Sequence, residues 1–151
     1  MMKRFWVSVL VIVFTVASFS LAFAVGTADE AKELVEKAAA YVQVNGRDKA
    51  VKEFNNPKGL FSKGDLFIFA WDLNGISIAN PHNQKQLGMN MMVVPDVDGK
   101  FFAKEAVELV KKNGAGWIDY KWKNYTTGKV DLKTSYLKKA GDIIVACGIF
   151  K

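Results

Sequence analysis

Residues 65–80 carry the pattern that most restricts the fold. Leu66-Phe67-Ile68-Phe69-Ala70-Trp71 alternates, so that Phe67, Phe69 and Trp71 point to one face of a strand while Leu66, Ile68 and Ala70 point to the other. Both faces are apolar, and such a strand needs a packed layer on each side. Asp72-Leu73-Asn74-Gly75 predicts a two-residue turn of the primed type, because Asn and Gly tolerate positive φ. Ile76-Ser77-Ile78-Ala79-Asn80 predicts the returning strand. The expectation is a hairpin at the centre of a sheet.

The amino terminus reads differently. Met1-Met2-Lys3-Arg4 is basic, residues 5–24 carry no charge, and Ala22-Phe23-Ala24 fits the small-x-small rule of a secretory signal peptide cut after Ala24. The rival reading is an uncleaved membrane anchor, since about 20 apolar residues span a bilayer. Either reading puts the remainder outside the inner membrane: periplasmic or secreted if cleaved, membrane-anchored if not. Losing Lys3 and Arg4 leaves 19 basic against 15 acidic residues, a net of +4. The lysines are scattered rather than gathered in a block, which argues against nucleic-acid binding. Residues 25–151 make one domain with a usable core. Cys147 is the single cysteine, so no internal disulfide or thiolate metal cluster is available.

Thr27-Ala28-Asp29-Glu30 is a capping box, followed by Leu34, Ala38, Tyr41 and Val42 on one helical face. Asn45-Gly46 stops that helix, and a shorter one from about Asp48 buries Ala50, Val51 and Phe54. From Pro81 to Gly99 periodicity disappears, and a loop of this length in a compact domain is usually either functional or wrongly assigned as loop. Phe102, Ala106, Leu109 and Val110 restore helical spacing before Gly114. Three alternating strands then follow, with Ile118, Tyr120 and Trp122 on one face of the first. In the second, Lys133, Ser135 and Leu137 oppose Leu132, Thr134 and Tyr136; the third runs from Ile143 to Phe150, its Gly148 allowing close approach. The fold class is α+β: a five-stranded antiparallel sheet with helices packed on it.

Taken together, Asn55-Asn56-Pro57-Lys58-Gly59-Leu60-Phe61, the stretch from Leu66 to Gly75, Leu87-Gly88-Met89-Asn90, Gly116-Trp117-Ile118-Asp119-Tyr120-Lys121-Trp122, Lys133-Thr134-Ser135-Tyr136 and Gly148-Ile149-Phe150 resemble the successive motifs of single Cache domains. These are PAS-like extracytoplasmic sensor modules of bacteria. The resemblance runs from about Asp29 to Lys151. It implies a long amino-terminal helix and a crossover helix on a PAS-like sheet, with a small organic acid held between sheet and crossover. It also implies signal transduction, as in chemotaxis, through a membrane receptor or kinase partner, and pairing of two copies through the amino-terminal helix. With no signalling domain after Lys151, the chain is expected to resemble the stand-alone exported type. Where many relatives carry a histidine between Ala and Pro, this chain has Asn80, and its only histidine is His82.

A carboxylate pocket needs a cation or several donors set in an apolar wall. Lys133 is the candidate counter-ion, with Tyr136, Tyr120, Trp122, Trp71 and Phe69 as walls and Asn80 or His82 as closing donors. The bland reading makes the aromatics core and Lys133 a solvated strand lysine. Met89, Met91 and Met92 with His82 would suit Cu(I) in a copper- or haem-associated protein, although methionine also fills irregular loops. A ligand-free interaction module is the third reading. Asp96-Val97-Asp98-Gly99 lacks the remaining ligands of a calcium loop and predicts a turn. No nucleophile with an adjacent base and no phosphate-cradling loop is present, so the sequence asks for neither an enzyme nor a cofactor.

Overall fold

The computed structural model describes residues 25–151. The signal-peptide or anchor expectation for residues 1–24 lies outside the described residues. Helix α1 (Ala28–Asn45) starts at the capping box, where Thr27 Oγ1 accepts from the Glu30 amide at 3.2 Å and Glu30 Oε2 accepts from the Thr27 amide at 2.8 Å. It ends at Gly46, whose φ of +81° strongly favours glycine. Helix α2 (Arg47–Phe54) follows at once and buries Ala50 and Phe54.

The predicted strand at 66–71 is divided. Leu66–Phe67 (β2) pairs with Ser62–Lys63 (β1) in a small ladder, and Phe69–Asp72 (β3) belongs to the main sheet with Ser77–Ala79 (β4). Helix α3 (Phe102–Asn113) then leads into β5 (Ala115–Lys123), β6 (Val130–Ala140) and β7 (Ile143–Phe150). The order across the main sheet is β4-β3-β7-β6-β5, with every pairing antiparallel.

The hairpin therefore sits to one side, and β7 holds the centre. Composition explains the exchange: residues 143–148 are all buried, whereas β4 has only three residues and serves as an edge.

The alternation predicted for 66–71 sorts residues between two cores. Leu66, Ile68 and Ala70 join Ala31, Val35, Ala38, Val42, Val145 and Cys147 beneath α1. Phe67, Phe69 and Trp71 join Met91, Phe102, Ala106, Val110, Tyr120 and Leu137 beneath α3.

The turn at 72–75 is not of the two-residue primed type. Asp72 donates to the Ile76 carbonyl at 2.9 Å, enclosing Leu73, Asn74 and Gly75. Among the described residues no side-chain-bearing residue has positive φ, whereas a primed turn of the Asn-Gly kind requires it of both central positions. Gly75, at φ +78°, takes the left-handed place alone, and Asp72 Oδ1 accepts from the Asn74 and Ile76 amides at 2.9 Å. The carboxylate thus supplies the organisation that a second positive φ would have given.

The long loop contains two 3-10 turns, Gln84–Gln86 and Met91–Val93, and covers the open edge of β4 through Ser77, Gly88 and Met89 backbone bonds. At the opposite edge, Asp96 accepts from the Asp98 and Lys100 amides at 2.9 Å and from the Lys121 amide of β5 at 3.0 Å. The carboxylate of the calcium-like motif is thus engaged by backbone donors.

Candidate ligand pocket

Parity of position along β5 and β6 builds the pocket. Tyr120 pairs with Lys133 and Ile118 with Ser135, so these four side chains share the α3 face of the sheet. Trp122 joins them from β5, Phe69 and Trp71 from β3, and Phe102 closes the layer from the first turn of α3. Phe102 stacks on Tyr120 with centroids 4.2 Å apart and 4° between planes, and meets Trp122 edge-on at 5.1 Å. The loop contributes Asn80, Gln86 and Met91, and the β5–β6 turn contributes Tyr125. The space between these walls is about 20 Å³, room for one or two water-sized atoms.

Lys133 is only 4 % exposed. Its Nζ lies 5.1 Å from the Phe69 ring centroid, 5.5 Å from Phe67 and 5.2 Å from Phe150, a cage of negative ring faces. The ion pairs among the described residues join other side chains, leaving Lys133 without a carboxylate partner. Burial pushes its ammonium down to about 8, against a small opposing pull from Cys147. Gly148 on β7 makes the lysine's position sterically feasible, because a Cβ there would collide with Lys133 Cε and Ser135 Oγ.

The polar lining is ordered. Tyr120 Oη and Ser135 Oγ are 3.0 Å apart, and burial raises the Tyr120 phenol so that it stays neutral. Asn80 Nδ2 donates to Gln86 Oε1 at 2.6 Å, while Asn80 Oδ1 accepts from the His82 and Asn83 amides. Gln86 has its Oε1 engaged in this way, and its Nε2 donates to no acceptor among the described residues, so the free end of the pair is a donor.

Lys133, Tyr120, Trp122, Trp71, Phe69 and Asn80 all line this pocket. Tyr136 does not. Three positions from Lys133, it points to the opposite face, where its hydroxyl donates to Glu36 Oε1 at 3.3 Å beside the Lys138–Glu36 ion pair. His82 stands in an adjoining groove, edge-on to Phe67 at 4.7 Å, with burial holding its pKa low. Five lining residues escape the sequence reading: Phe67, Gln86, Met91, Phe102 and Tyr125. Phe67 shares parity with Phe69, a usable signal, whereas nothing in an aperiodic loop marks Gln86.

The three methionines stand in different surroundings: Met89 is exposed, Met91 is 1 % exposed and lines the pocket, and Met92 covers Gly75. Among the described residues no group of three His, Cys, Asp or Glu side chains is placed to hold a metal.

A five-stranded antiparallel sheet with a long helix on one face and an aromatic pocket on the other defines a PAS-like α+β module. The chain belongs to the single Cache domain family, the family model "Single Cache domain 2" matching residues 24–150. Its fold is similar to that of a Cache chemosensory domain solved to explain carboxylic acid recognition, with TM-score 0.68, 24 % identity, and 81 % of this chain and 91 % of the other covered. It is also similar to a methyl-accepting chemotaxis protein from Vibrio parahaemolyticus RIMD 2210633, with TM-score 0.69, 17 % identity and coverage of 81 % and 86 %. A periplasmic sensor domain of a chemotaxis protein matches with TM-score 0.63, 22 % identity and coverage of 81 % and 88 %. At these identities the likeness is one of fold. No curated protein sequence matches the chain. No helix among the described residues is long and apolar enough to cross a membrane.

Proposed function

We propose that this protein is an extracytoplasmic binding module that captures a small organic acid and reports it to a separate membrane receptor or kinase. The carrying observation is the buried Lys133 ammonium, which faces a cavity without a carboxylate partner among the described residues. A buried cation is costly unless an anion completes it, and a ligand carboxylate at Nζ would do so. Tyr120, Trp122, Trp71 and Phe69 supply a wall that keeps the pair dry, and Asn80 holds Gln86 so that its amide faces the ligand. His82 has no direct part in this arrangement. Residues 1–24 direct export as a signal peptide or retain the module as an anchor, and α1 is the surface through which two copies would pair.

Both the carboxylic acid chemistry of one structural relative and the chemotaxis role of others support this reading by analogy of fold. The test is a thermal-shift panel of acetate, propionate, pyruvate and lactate on the wild type and on Lys133→Met. A ligand that binds only the folded state raises Tm with its concentration. The expected result is a shift for the wild type and none for the variant; equal shifts would remove Lys133 from the site.

A further inference from the structure

Outside the pocket lies a groove of about 530 Å³, walled by Phe67, Phe150, Val25, Tyr125, His82 and Thr126. It falls within the roughly 300–1,000 Å³ range of ligand sites, whereas the inner cavity has room for only one or two water-sized atoms. The two spaces share walls, because Phe67 and Tyr125 line both. Lys133 stands at their junction. Its Nζ is 5.1 Å from Phe69, an inner wall, 5.5 Å from Phe67, the shared wall, and 5.2 Å from Phe150, a wall of the groove alone.

We propose that pocket and groove form one continuous site for a monocarboxylic acid with an extended apolar tail. The carboxylate sits on Lys133, and the tail passes Phe67 and Tyr125 to lie along Phe150 in the groove. This inference rests on the reading of Lys133 as counter-ion. The groove selects against a second charge at the far end of the ligand. Its one carboxylate, Asp65, accepts from the Gly26 amide at 3.0 and 3.1 Å and would repel another anion. Its one imidazole, His82, is held by burial toward the neutral form. An uncharged aliphatic tail therefore fits, and a dicarboxylate does not.

Calorimetric titration of the purified protein with acetate, propionate, butyrate, hexanoate and octanoate tests the proposal. Affinity is expected to rise by up to about fourfold per added methylene beyond propionate as tail surface leaves water. Thr126→Trp, on an exposed turn at the groove wall, should abolish the gain for hexanoate and octanoate while leaving propionate within about twofold. Adipate should bind more weakly than hexanoate. Binding of short acids with no gain on lengthening overturns the groove inference alone. Absence of binding by every acid, or octanoate binding that survives Lys133→Met, overturns it together with the counter-ion reading.

Discussion

Lys133 occupies the space that any side chain at Gly148 would need: a Cβ there on β7 would meet the lysine's Cε and Ser135 Oγ, with the Thr134 carbonyl 3.1 Å away. The two strands are paired there, Ser135 opposite Gly148, so neither backbone can retreat without breaking the ladder.

Gly148→Ala should therefore displace Lys133 from its aromatic cage. Overpacking of this kind costs about 1–3 kcal/mol, read in urea unfolding. Acid binding should fall at least tenfold, measured by calorimetry. Wild-type affinity in a destabilised variant would mean that the lysine can leave its position without consequence.

Lys133→Met should move stability and binding in opposite directions. Methionine keeps the buried stem and removes the uncompensated charge, so Tm in the absence of ligand is expected to rise, by an amount equivalent to about 1–3 kcal/mol. Carboxylate affinity should be lost. A variant that is less stable than the wild type would show that the ammonium has a partner that stabilises it in the free protein.

The stability difference between Lys133→Met and the wild type should shrink as pH rises. Burial lowers the folded lysine from 10.5 to about 8, so between these values the unfolded chain binds more protons and wild-type stability rises with pH. Below about 8 both states are protonated and the penalty of the buried charge is fully present. Cys147, pushed by burial from 9.0 to about 12, acts in the opposite sense above pH 9 because the unfolded thiol ionises first. Subtracting the two proteins cancels most of the cysteine's contribution. The difference should narrow by about 1–3 kcal/mol between roughly pH 7.5 and 10 in urea titrations. A difference that does not change with pH would place the amine in its ordinary range.

Tyr136→Phe should leave acid affinity unchanged. Its hydroxyl is bonded to Glu36 on the α1 face, and its loss is expected to cost about 0.5–1.5 kcal/mol in chemical denaturation. A large affinity loss would contradict the separation of the two faces.

Period-two alternation, being a direct consequence of backbone geometry, made most of the sheet legible from sequence. It sorted 66–71 between two cores and placed Tyr120, Trp122 and Lys133 together. The same rule separates Lys133 from Tyr136, because an odd spacing on a strand puts residues on opposite faces; proximity in the chain had suggested a shared pocket. The order of strands was not legible, since apolar faces predict layers but not neighbours, and β7 took the centre that the hairpin was expected to hold. Gln86 sits on a single 3-10 turn whose position follows from backbone bonds to β4 and from Asn80. Local sequence carries no period there from which to read it.

Strand β6 is a plank common to two rooms. On one side it holds Lys133; on the other, three residues or about 10 Å along, it holds Tyr136 against Glu36 of α1. An extended strand hardly stretches, so the backbone fixes the spacing between the two side chains. The aromatic room and the wall of the helix are thus joined by one short length of backbone.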